Sequence, residues 1–149
     1  MISPDGSNFD SIPWERLLRN IHHGQVLPIV GPGLVTVDEG GQRLPLVDWL
    51  APKFAERLGV SFSENPTLGK SACAHLVNHG GRGEIYEELR ELIEDHENLP
   101  VSPGIENLAA IRDFDLFITS TFDGMLAKAL QQARPGYKAD ARGLAWFHP

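Results

Sequence analysis

A single cysteine, Cys73, serves a chain of 149 residues. No intramolecular disulfide can form, and a zinc site of four thiolates is excluded. Positive charge is scarce too: 13 Lys and Arg stand against 20 Asp and Glu, for a net charge of −7. Nucleic-acid binders draw most of their affinity from clustered Lys and Arg, so this balance argues against a direct nucleic-acid partner. No apolar run approaches the roughly 20 residues of a membrane span. The opening MISPDGSNFDSIPWERLL carries neither a basic flank nor the apolar centre of a signal peptide. A reduced, cytoplasmic location away from the membrane is therefore the expectation.

What is present reads as a folded chain. Hydrophobic residues make up 42% and charged residues 22%, the ordinary globular range. The length suits one domain with a real core. Residues 1–12 are polar and rich in turn formers, a flexible lead-in to a domain over 13–149.

Helical periodicity begins at Pro13, with Ser11 as a candidate cap and Trp14, Leu17, Leu18 and Ile21 on one face that should be buried. His22, His23 and Gly24 end it. QVLPIV, Gln25 to Val30, is a nearly continuous apolar run of the kind found in a doubly covered parallel strand, with Pro28 favouring an edge or an irregularity. A helical stripe follows through Leu46, Leu50, Phe54 and Leu58. Thr67 to Asn78 is a weaker helix with Leu68, Ala72 and Leu76 inward, and Gly83 to His96 a clearer one with its acids outward. Ile105 to Ile111 reads as a short helix, Phe114 to Thr119 as a second strand, Asp123 to Ala133 as a helix and GLAWFHP as a third strand. Apolar strand, tight turn and helix recur, which predicts an α/β fold with a parallel sheet.

Ligands in such sheets sit beyond the carboxyl ends of the strands. Two turns fall there. Gly31-Pro32-Gly33 follows the first strand, where glycines let backbone N–H groups approach a phosphate or ribose, although the triplet alone also fits an ordinary turn. Thr119-Ser120-Thr121 and Asp123 follow the second strand. They could hold sugar hydroxyls, and Asp123 equally suits a plain helix cap.

Taken as a pair, Gly31-Pro32-Gly33-Leu34-Val35 and Thr119-Ser120-Thr121-Phe122-Asp123-Gly124-Met125-Leu126 resemble the sirtuin-like family in its bacterial defence branch. LPLVDWL, Leu44 to Leu50, is similar to that branch's Leu-Pro-Ser-Trp segment. The resemblance implies a Rossmann-like three-layer fold with a central parallel sheet, incomplete at its C-terminal side. It implies NAD or a related ADP-ribose nucleotide as ligand, held by Gly31, Pro32, Gly33, Leu34, Ser120, Thr121 and Asp123. Thr121 and Asp123 occupy the family's catalytic positions, so hydrolysis of NAD to nicotinamide and ADP-ribose in antiviral defence is the implied activity.

Three departures qualify it. Thr121 replaces the family's Asn and supplies one hydroxyl in place of an amide, Val35 replaces the loop Ser, and Pro32 removes an N–H. The zinc module of the deacylases needs four cysteines, so deacylation is disfavoured and no metal is expected. The family's catalytic His has no good match: His148 is the only His after Asp123 and precedes a proline. That implies the N-terminal portion of a longer domain. A short sheet would expose an edge, to be covered by a protein partner or by self-association. The alternative is an inactive sirtuin-like interaction or sensor module acting through a partner or a downstream domain.

Cys73 between two alanines reads as a buried filler, and Trp14, Trp49 and Trp146 as core. His22 and His23 are adjacent and point apart. His75 and His79 have helical spacing but no zincin pattern, so solvent or loop contacts are expected.

Overall fold

The computed structural model describes residues 12–78 and 80–136. Trp14–His22 forms α1, which ends as His23 N–H donates to the carbonyl of Arg19 and Gly24 N–H to that of Ile21. Gly24, at φ +66°, then turns the chain, a conformation that costs glycine nothing. The expected buried face is not seen: no residue of α1 is buried, and Trp14 and Leu18 are exposed. Periodicity revealed an apolar stripe but not what, if anything, covers it.

The first strand is shorter than its apolar run. Only Ile29–Val30, β1, enters a ladder, pairing in parallel with Ile118–Thr119 in register Ile29 to Ile118 and Val30 to Thr119. Pro28 lies just outside, where no N–H is required of it, and its carbonyl accepts from Ile118 N at 2.9 Å. A single 3-10 turn, Pro32–Leu34, leads to an antiparallel hairpin of β2, Thr36–Glu39, and β3, Gln42–Pro45. Its two-residue loop is Gly40-Gly41, at φ +59° and +82°. A type I′ turn needs positive φ at both central residues, so two glycines meet the requirement without strain. The sequence reading missed this hairpin, although a Gly-Gly loop after Thr-Val-Asp-Glu is its recognised signal.

Then come α2, Leu46–Arg57, α3, Leu68–Val77, α4, Arg82–Glu94, and α5, Pro103–Ala110. Ile118–Thr119 is β4, and Met125–Ala133 is α6. Thr67 caps α3 by accepting from Lys70 N at 3.2 Å, and Pro103 takes the first position of α5, where a missing N–H costs nothing. α2 packs on α3 and α4, and α5 on α6. Val30, Val35, Leu50, Phe54, Leu92 and Ile105 lie at the centre, each 2% exposed or less.

The described residues thus form a mixed α/β unit of six α-helices, one two-stranded parallel sheet and one hairpin. In α3 Leu68 and Ala72 pack against the core as expected and Ser71 is fully buried with its Oγ donating to the Thr67 carbonyl, while Leu76 and Cys73 are exposed. GLAWFHP, with Trp146 and His148, lies outside the described residues, as do Ser11 and His79. No helix among the described residues is long and apolar enough to cross a membrane.

Candidate ligand site at the strand ends

Because β1 and β4 are parallel neighbours, their carboxyl ends share one edge. The two turns singled out from sequence therefore meet there. Ser120 joins them: its N–H donates to the Val30 carbonyl at 3.0 Å and its hydroxyl to the same oxygen at 3.4 Å. Gly31, the next residue after Val30, starts the glycine turn.

Inside that turn Leu34 N donates to Gly31 O at 3.2 Å and Val35 N to Pro32 O at 3.3 Å. Neither Gly31 nor Gly33 has positive φ, and a Cβ built on either meets nothing within 4 Å. Backbone conformation and protein neighbours do not require glycine at these positions. What the two glycines leave is open space against the main chain.

The far side of the turn is fastened to the start of α5. Ser102, 3% exposed, donates from Oγ to the Leu34 carbonyl at 2.9 Å. A Cβ on Gly104 would lie 2.7 Å from Leu34 Cδ1, so Leu34 packs directly over that glycine. Sequence reasoning passed over Ser102 and Gly104. Their only signal was a Ser-Pro-Gly triplet at a helix start.

The hydroxyl cluster of the second turn largely serves the turn. Thr119 Oγ1 and Thr121 Oγ1 are 2.8 Å apart, and Thr121 N donates to Thr119 Oγ1 at 3.2 Å. Such local side-chain to backbone bonds offer the chain an alternative to the ladder, which ends here. Asp123 is not the N-cap of α6, which is Gly124; it stands one residue ahead and accepts from Met125 N at 3.0 Å through Oδ1, an Asx turn that leads into the helix. Its second oxygen lies outside that bond.

Asp123 also lines a cavity of about 330 Å³ between the start of α2, the end of α4 and the start of α6. Leu46, Leu50 and Met125 give it apolar walls. His96 and Lys128, neither predicted, add polar groups. His96 Nδ1 meets the Leu92 carbonyl at 2.7 Å, and its ring stands edge-on to Trp49 with centroids 4.9 Å apart. Lys128 Nζ donates to the carbonyls of Glu97 and Leu99 at 3.0 and 2.9 Å. No residue of Gly31 to Leu34 borders this cavity. The predicted residues thus share an edge of the sheet, yet the half-open pocket beside them belongs to Asp123 and the helices.

Away from the site, His75 links three helices instead of meeting solvent: Nδ1 lies 3.3 Å from the Leu58 carbonyl after α2, and Nε2 2.8 Å from Glu84 Oε2 of α4. Among the described residues no three His, Cys, Asp or Glu side chains gather as a metal-binding group. Comparison with family models, with curated proteins and with solved structures gives no match.

Proposed function

We propose that the chain is a sirtuin-like domain that binds NAD or a related ADP-ribose nucleotide between Gly31–Leu34 and Ser120–Asp123. The supporting observation is the parallel register of β1 and β4, which sets a glycine turn and a hydroxyl-carboxylate turn side by side at the edge where α/β sheets take ligands. Open space beside Gly31 and Gly33 suits the approach of a pyrophosphate or ribose to the main chain. Ser120 and Thr121 offer hydroxyls to the sugar, and the outer oxygen of Asp123 accepts from a ribose hydroxyl. In the same proposal β1 and β4 are the first pair of a larger Rossmann-like central sheet, in a cytoplasmic protein.

NAD, when bound, would supply a glycosidic bond to nicotinamide open to cleavage, the step implied for bacterial antiviral defence. The contacts of this chain favour binding over that step. Thr121 shares its hydroxyl with Thr119, Asp123 gives one oxygen to Met125, and no amide stands at 121.

A second reading, an inactive interaction or sensor module, draws on a separate observation. The register partners Ile29 and Ile118 are 71% and 45% exposed, and Leu27 and Leu116, two residues ahead of each strand, are exposed as well. Apolar sheet faces of this kind commonly mark interaction surfaces.

Incubation with NAD, followed by thermal shift and by chromatography of released nicotinamide, tests the proposal. A higher melting temperature without turnover supports the binder, and turnover the glycohydrolase. The absence of both leaves the interaction module. Asp123→Asn keeps an oxygen for the Met125 N–H and removes the charge offered to ribose, so a shift unchanged in that variant places the ligand elsewhere.

A further inference from the structure

We infer that the cavity between α2, the end of α4 and the start of α6 binds a compact organic cation: an apolar body carrying an amine or amidine. At about 330 Å³ it is large enough for a small ring compound, near the lower bound of ordinary ligand pockets. Ile93 and Leu99, half-buried at its rim, supply the apolar surface such a body would bury, over a floor of buried Leu46, Leu50 and Met125.

The polar groups around it are mostly acceptors. A carbonyl oxygen can only accept, so the 2.7 Å contact between His96 and Leu92 O puts the proton on Nδ1. That leaves Nε2 outside the bond, and in the neutral tautomer Nε2 is the acceptor. Asp123 has spent Oδ1 on Met125 N and retains a second oxygen. The partial positive charge at the amino end of α6 is thus already answered from within the chain.

Lys128 turns its ammonium to the carbonyls of Glu97 and Leu99. Charge points the same way. Asp123, Glu94 and Glu97 face one lysine, with Arg90 only at 4.0 Å from Glu94. An anion would meet like charge and few unspent donors, whereas a cationic donor would find acceptors ready in an apolar setting that strengthens each bond.

Calorimetric titration of the full chain with benzamidine, and with benzoate as its opposite in charge, tests the assignment. Benzamidine should saturate a single site, and benzoate should bind at least about tenfold more weakly, the scale of one charge-assisted hydrogen bond. Gly124→Leu fills the pocket from its border, where an added Cβ meets nothing within 4 Å, and should abolish binding.

His96→Asn keeps a donor for Leu92 O, removes Nε2 and should weaken benzamidine about tenfold. If Gly124→Leu fails to fold, His96→Asn decides the matter. Equal affinity for the two probes, no binding of benzamidine, or binding undiminished by the variants would overturn the assignment. NAD affinity is measured separately, so failure of the nucleotide proposal and failure of this one are distinguishable.

Discussion

Ser102→Ala isolates the tether that holds the glycine turn. Ser102 stands at the N-cap position of α5, yet its hydroxyl does not cap that helix; it donates to Leu34 O across 68 residues of sequence. Alanine therefore removes a long-range tie and leaves α5 its own start. A neutral hydrogen bond contributes about 1 kcal/mol net, with a further cost of about 1 kcal/mol where the deserted carbonyl stays dry. Leu34 is 37% exposed, so water can reach that end and the estimate stays near the lower figure. For a domain of this size the melting temperature should fall by about 3 °C.

Gly104→Ala sharpens the test. Its Cβ would stand 2.7 Å from Leu34 Cδ1, so Leu34 must swing aside. Replacing a helical glycine by alanine returns about 0.5–1 kcal/mol, leaving a small net effect. Once Ser102 has released Leu34 O, however, Leu34 moves more freely and the clash costs less. Urea unfolding of the double-mutant cycle should give a combined loss smaller than the sum of the two. A neutral Ser102→Ala, or strict additivity, would refute the coupling of this turn to α5.

Three other perturbations probe separate joints. Arg134 donates to the carbonyls of Ala109, Ile111 and Phe114, binding the end of α6 to the segment ahead of β4; Arg134→Lys keeps the charge and loses the fork, and should cost about 2–4 kcal/mol in urea unfolding. Gly41→Ala forces a Cβ onto φ +82° and should cost about 1–2 kcal/mol, with Gly41→Asn milder; a neutral result would show that the loop adopts another turn. Glu84 sits below its ordinary value of 4.5 because the His75 side chain and then the Gly81 N–H hold its carboxylate. A folded value below the unfolded one stabilises the fold above about pH 4.5, and that gain is lost as pH falls through the lower value. Glu84→Gln should flatten this acid limb of the stability profile, and an unchanged limb would assign it to other groups.

Helices were legible because one chain segment carries its own signal. α2, α4 and α6 each repeat apolar residues at helical spacing, and their bounds lie within about two residues of expectation. Strand lengths were not legible. Gln25 to Val30 and Phe114 to Thr119 are both apolar enough for a covered strand, but only the last two residues of each enter the β1–β4 ladder. How far a strand pairs depends on its partner, which no local window contains. Cys73 failed similarly, since its neighbours predicted a packed thiol while α3 turns Ser71 inward. Within the site, a local backbone bond of Asp123 could be anticipated from residue type, although it forms an Asx turn ahead of Gly124 and not the N-cap of α6. Ser102 and Lys128 could not, because each matters through a carbonyl brought near by folding, nor could His96, whose ring bonds locally to Leu92 O but borders the pocket only through the packing of α4 on its neighbours.

Asp123 is the point at which the two proposed sites interact. Its Oδ1 is committed to the Met125 N–H, leaving one oxygen to serve either a ribose hydroxyl at the sheet edge or a cation in the cavity. A ligand that claims this oxygen lowers its value to the other, and linkage requires the penalty to be the same in both directions. A charge-assisted hydrogen bond is worth about 1.5–3 kcal/mol, which bounds the mutual weakening at roughly ten- to a hundredfold. The hydroxyls of Ser120 and Thr121 lie outside this contest, because neither borders the cavity. Antagonism between nucleotide and cation would therefore trace to one carboxylate, and Asp123→Asn should remove most of it while leaving the bond to the Met125 N–H in place.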